Sequence, residues 1–141
     1  MILLGKIALG RKSMASNYEK TVEKLLMGKV HYKKEVTFPT LHGAKSVPLR
    51  FDFGVYYNNG KLKCLIEVDG EYHFHPIRGK LALQRQQAYD KKKNNYCLIN
   101  NIKLIRIPYW EINNLTYEKI FNTSNFVVKD KLHNYMLVPP R

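Results

Sequence analysis

Acidic residues are scarce in this chain. Eleven Asp and Glu stand against twenty-four Lys and Arg in 141 residues, a formal charge of +13. An excess of that size argues against a cationic partner and favours a polyanion, nucleic acid before an anionic membrane. Cysteine is scarcer still. Cys64 and Cys97 sit far apart in apolar stretches with no metal-ligand spacing. A disulfide framework and a zinc site are thereby excluded, and buried thiols in a reducing cytosol are expected. The sequons at Asn114 and Asn122 then read as chance matches. Long hydrophobic runs are missing as well. The opening stretch MILLGKIALGRKS is broken at Lys6 and lacks the apolar region and cleavage site of a secretory signal. No run approaches the roughly 20 apolar residues of a membrane span, and no strongly amphipathic basic helix suggests a membrane-surface role. The expectation is a cytoplasmic protein, neither secreted nor membrane-bound. Repeats and low-complexity linkers are absent too.

What remains is 45% hydrophobic and 12% aromatic residues, enough for one folded domain with a real core. A helix is predicted from Ser16 to about Gly28. Ser16 and Glu19 form a capping box, Val22, Leu25 and Leu26 an apolar stripe, and Gly28 the stop. VHYKKEVTF (30–38) reads as a strand closed by Pro39. Two further strands flank NNG, a strong hairpin signal. A polar, basic helix over about 78–96 follows, then a strand in IKLIRIPYW (102–110) and a short helix over 114–122. Two prolines near the end argue against a terminal helix. The predicted order is α-β-β-β-α-β, a mixed α/β (α+β) sheet containing an antiparallel hairpin and flanked by helices. The expected divisions are an N-terminal extension (1–15), one domain (16–122) and a C-terminal tail (123–141).

The few acids are oddly placed. Asp52, Glu67 and Asp69 interrupt the apolar hairpin strands, where an unpartnered carboxylate is costly to desolvate. Alternation puts Leu49, Phe51, Phe53 and Val55 on one face and Arg50, Asp52 and Gly54 on the other. In the next strand Cys64, Ile66 and Val68 oppose Leu65, Glu67 and Asp69. If Asn59 and Gly60 make a two-residue type I′ turn, Asp52 lies opposite Glu67 and Arg50 opposite Asp69. Carboxylates so close, with Cβ atoms about 5 Å apart, need a cation or a shared proton. A hard divalent ion with oxygen ligands, Mg²⁺ or Mn²⁺, satisfies them. If the strand continues past Gly70, parity sets His73 beside Glu67 and Asp69, where a histidine can transfer protons. On the second helix Gln86, Asp90, Lys93 and Cys97 share one face, bringing Asp90 and Lys93 toward the acids. Glu19 or Glu23 offers a further carboxylate.

A helix, strands carrying an Asp and then a Glu, and a following helix together resemble the PD-(D/E)XK nuclease superfamily. The resemblance is closer to the branch related to very-short-patch-repair endonucleases, which includes small phage homing endonucleases with a Glu-Asp-x-His-Asp pattern. The matching residues are Glu19 (or Glu23), Asp52 in RFDF, His73 in EVDGEYHF and Asp90 in QQAYDKKK. LIRIPYWEI is similar to the strand that closes this fold, and the likeness covers roughly residues 16–112. Where the superfamily motif has a lysine two residues after the glutamate, this chain has Asp69, and Lys93 is placed to supply the missing cation.

The resemblance implies a restriction-endonuclease-like core and Mg²⁺- or Mn²⁺-dependent hydrolysis of DNA phosphodiester bonds, by an enzyme of phage or mobile-element origin working in the host cytoplasm. Asp52 and Glu67 would bind the metal, with Asp69 as a further ligand. His73 would assist proton transfer, Asp90 or Glu19 would orient it or a water, and Arg50 or Lys93 would steady the phosphorane charge. The basic side chains Lys33, Lys34, Arg50, Lys61, Lys63, Lys91 and Lys92 would grip the nucleic-acid backbone. Cutting both strands would call for a homodimer. Two rivals share the residues: a non-catalytic nucleic-acid binder on the same fold, and a nuclease directed at RNA, with Tyr56, Tyr57 and Tyr72 stacking on unpaired bases.

Overall fold

A computed structural model describes residues 16–140. The expected extension, 1–15, lies outside the described residues. Helix α1 (Asn17–Leu26) begins where the capping box places it: the Ser16 hydroxyl accepts from the Glu19 N–H at 3.2 Å and donates to the Glu19 carboxylate at 3.4 Å. Gly28 follows at φ +74°, the left-handed turn that lets the chain reverse. Strands β1 (His31–Val36), β2 (Phe51–Tyr56) and β3 (Leu62–Asp69) form an antiparallel meander. Helix α2 (Lys80–Ile99) then crosses over, and β4 (Leu104–Pro108) runs parallel to β3, giving the sheet order β1-β2-β3-β4. The fold is α+β, a four-stranded mixed sheet flanked by helices, in the predicted element order.

Beyond β4, helix α3 (Tyr117–Asn122) occupies the predicted place. The segment expected to be a tail joins the body instead. Val128 N–H donates to the Leu104 carbonyl at 2.9 Å, and a four-residue helix α4 (His133–Met136) carries Asn134 into the interior. The prolines at 139 and 140 follow that helix rather than preventing it. Among the described residues, no helix is long and apolar enough to cross a membrane.

Two apolar clusters sandwich the sheet. Val22 and Leu26 of α1 pack on Phe53, Val55, Cys64, Ile66 and Val68, while Cys97 of α2 packs with Leu65, Leu104 and Phe51. Phe51 was expected to share a face with Phe53, and it does not. The alternation breaks at Asp52, opposite Glu35. Lys34 pairs with Phe53 and Val36 with Phe51, but Glu35, at φ +58°, drops out of the ladder between them. A left-handed non-glycine residue costs about 1–3 kcal/mol and marks a place worth inspecting.

The hairpin reaches the expected register by a different route. Gly60 N–H donates to the Tyr57 carbonyl at 2.9 Å and Tyr57 N–H to the Lys61 carbonyl at 2.8 Å. The loop therefore has three residues, with Gly60 at φ +86°, rather than a two-residue type I′ turn. That choice shifts pairing by one, to Tyr56↔Leu62. A bulge between Val55 and Tyr56 shifts it back, to Val55↔Cys64 and Phe53↔Ile66. Continued by one residue, the restored register sets Asp52 level with Glu67.

Candidate active site

Beyond Phe53 the β2–β3 ladder is closed by side chains. The Asp52 N–H donates to Glu67 Oε1 at 2.9 Å, and the Asp52 carboxylate accepts from the Val68 N–H at 2.7 Å. The backbone ladder ends here, and acids gather beside it. From α1 comes Glu19, from the left-handed break in β1 comes Glu35, and Asp52 completes the group. One carboxylate oxygen from each lies within 4.8 Å of the other two. Of the two helix acids it is Glu19 that joins. Glu23, a turn later, instead accepts from Tyr32 at 2.8 Å and Lys34 at 3.1 Å.

The electrostatics reflect the crowding. Burial, then Glu67 and Glu19, push the Asp52 carboxyl well above its ordinary range, against the pull of Lys93. Burial and the charges of Glu35 and Glu67 raise Glu19 likewise. Repulsion of this kind is relieved by protonation or by a cation.

Glu67 faces α2, as its strand parity predicts. Its Oε2 accepts from Lys93 Nζ at 2.8 Å. Burial works against the Lys93 ammonium, but Glu67 and Asp52 outweigh it and raise the group further, so the lysine stays charged. Lys93 thus delivers a cation to the acids from the helix.

A second network lies deeper. Arg106, fully buried on β4, donates through Nη1 to both oxygens of Asp69 at 2.8 and 3.1 Å and through Nε to Asn94 at 2.7 Å. Asn134 adds a bond to Asp69 at 2.8 Å, and Arg106 Nη2 reaches the Asp90 carbonyl at 3.3 Å. Asp69, expected among the metal ligands, has both oxygens occupied inside the protein. His73 Nδ1 lies 2.7 Å from Asp90 Oδ2 and 3.4 Å from Asp69 Oδ1. Strand parity was the wrong route to that meeting, because β3 ends at Asp69 and a single 3-10 turn, Glu71–His73, carries the imidazole back. Burial disfavours the imidazolium, but Asp69 and then Asp90 prevail and raise its pKa. Asp90 also accepts from Gln86 at 3.1 Å. Burial opposes its ionisation, yet Arg106 and His73 hold its carboxyl low.

Arg50 is the other correction. It does not reach Asp69; its guanidinium lies 3.4 Å from Glu35, on the exposed rim. Lys33, Lys34, Lys61, Lys63, Lys91 and Lys92 are all exposed, with Lys34 paired to Glu23. Sequence reasoning passed over Glu35, Asn94, Arg106 and Asn134. Arg106 carried a readable signal, since a lone arginine in the apolar run LIRIP of a covered strand requires buried acids nearby. Glu35 carried none, because nothing in HYKKEV announces a left-handed residue. Compared with known protein families, curated proteins and solved structures, the chain matches none.

Proposed function

We propose that the chain is a metal-dependent endonuclease that hydrolyses DNA phosphodiester bonds, in keeping with its resemblance to the very-short-patch-repair branch of the PD-(D/E)XK superfamily. The observation that carries this reading is the convergence of Glu19, Glu35 and Asp52 from three elements, beside the Glu67–Lys93 pair, in a protein of charge +13. Three crowded oxygen donors, with the Glu19 and Asp52 carboxyls raised, suit a hard divalent cation, Mg²⁺ or Mn²⁺. Glu19, Glu35 and Asp52 would hold it, a set that keeps Asp52 from the sequence reading and leaves Glu67 and Asp69 to Lys93 and Arg106.

When bound, such an ion polarises the phosphate and makes water a better nucleophile. The chain's own residues do the rest. Glu67, fixed by the Asp52 N–H and Lys93, steers Lys93 toward the place where charge grows on the phosphate. His73, held by Asp90 and favoured as the imidazolium, has a proton to give to a departing oxygen. Arg106 positions Asp69 and Asp90 and so acts on His73 at one remove. The exposed lysines would draw in and hold the polyanion.

Supercoiled plasmid incubated with Mg²⁺, Mn²⁺ or EDTA tests the proposal. Metal-dependent nicking or linearisation, abolished by Asp52→Asn, is expected. A protein that retards duplex and single-stranded DNA yet cuts neither of them with any metal would refute it in favour of a binding protein. Cutting confined to RNA would move the substrate.

A further inference from the structure

At the end of the hairpin farthest from the acids, two backbone irregularities turn cations into one aromatic hollow. The bulge in β3 leaves Lys63 out of the ladder, between the pairs Tyr56↔Leu62 and Val55↔Cys64. Bulges commonly re-aim the extra side chain, and here the Lys63 ammonium stands 5.9 Å from the Tyr57 ring centre and 5.4 Å from that of Phe121. Past the left-handed Gly28, Lys29 comes to 4.7 Å over the ring of Tyr117. Between them lies a cavity of about 620 Å³ walled by Lys29, His31, Tyr56, Tyr57, Lys63 and Tyr117. A neighbouring hollow of about 340 Å³ shares His31, Tyr56 and Tyr57 and adds Lys33, itself 5.1 Å over the Tyr56 ring. No carboxylate among the described residues lines either hollow. Among the described residues, Lys29, Lys33 and Lys63 form no ion pair.

We propose that this hollow is a second binding site, for an unpaired nucleotide of the substrate, with the base on a tyrosine face and the phosphates on the lysines. Free ammonium groups call for an anion, and exposed rings call for a flat apolar partner; a nucleotide supplies both. Its size lies within the usual range for small-ligand sites, roughly 300–1,000 Å³. Tyr57 is 52% exposed, so its ring can be reached from solvent. A paired base keeps both faces inside its own stack, so only an unstacked base fits. Along β2 from Asp52 to Tyr57 is about 16 Å at about 3.3 Å per residue, a span that a few nucleotides of one strand cover. A strand laid along the hairpin would touch both sites. The inference rests on the nucleic-acid reading above and narrows the substrate to one with an unpaired stretch.

The test is fluorescence anisotropy of a labelled eight-residue oligothymidylate in EDTA, with the parent, Tyr57→Ala, Tyr57→Phe and the Tyr57→Ala/Lys63→Ala pair. Tyr57 lies in an exposed turn, and unchanged circular dichroism shows that its variants fold. Stacking on one base sets the expected loss for Tyr57→Ala at about fivefold or more. Tyr57→Phe should stay within twofold, and the pair should be weaker than either change alone. The idea is overturned if the pair binds within twofold of the parent, or if the Phe variant loses as much as the Ala variant. Inorganic phosphate displacing the oligonucleotide at equal phosphate concentration would overturn it too, showing a plain anion site. Because no cutting is needed, a parent that never cleaves leaves this test intact. A parent that cleaves while the pair binds normally removes only the hollow.

Discussion

Arg106→Met is the perturbation with the largest consequence worked from the geometry. Arg106 and Asp69 are both fully buried, and three bonds to Asp69 and Asn94, each of 3.1 Å or less, hold the guanidinium. Replacing arginine by a side chain of similar length leaves Asp69 with Asn134 and, at 3.4 Å, His73, and removes the first of the cations that hold Asp90 low. Breaking a buried pair on one side costs about 3–5 kcal/mol, because the surviving charge stays in low dielectric. At several degrees per kcal/mol for a domain of this size, the melting temperature should fall by about 10–20 °C. Urea unfolding followed by circular dichroism measures the loss directly. Adding Asp69→Leu to the variant should recover part of it, since an apolar pair carries no stranded charge. One further readout separates positioning from mere stability. Arg106 holds the His73 pKa down against Asp69 and Asp90, so the imidazole should titrate higher by NMR in the variant. A cost below about 1 kcal/mol, with His73 unmoved, would refute the network as described.

Other outcomes follow from the same contacts. The His73 pKa is raised in the fold, so its contribution is fully present below about pH 6.5, its usual value. That contribution disappears as pH rises through the folded value; the stability gap between the parent and His73→Gln should accordingly shrink from pH 6 to pH 9 in urea titrations. Gly60 sits at φ +86° with open space around a would-be Cβ. Gly60→Ala should cost on the order of 1 kcal/mol by backbone strain alone, read as a lower urea midpoint. Exposed Lys91 and Lys92 on α2 should grip phosphates, so replacing both by Ala should flatten the slope of log K against log salt for duplex DNA by up to about 2.

The parts of this molecule that obey local rules are legible in its sequence. Ser16 with Glu19 set the start of α1, the i, i+4, i+7 spacing set the buried face of α2, and the hairpin register put Asp52 against Glu67. That last success depended on two departures that cancel, a longer turn and a compensating bulge. What could not be read depends on backbone states that leave no mark on composition. Glu35, left-handed in β1, adds a carboxylate to the site, and level with it Phe51 joins the other cluster. Arg106 was overlooked although LIRIP carried its signal. β4 is buried along its whole length, and a lone arginine in such a strand becomes the counter-ion of Asp69. Asn134 came from a segment whose prolines argued against a helix, and a helix of four residues was enough.

The most direct test of the account is calorimetric titration of Mn²⁺ into the protein at pH 7, beside Asp52→Asn and Glu19→Gln. The account predicts at least one site per chain in the parent and its loss, or a weakening of tenfold or more, in both variants. Mn²⁺ binding that is absent from the parent, or equally strong in all three proteins, would contradict the claim that these acids converge to hold a cation.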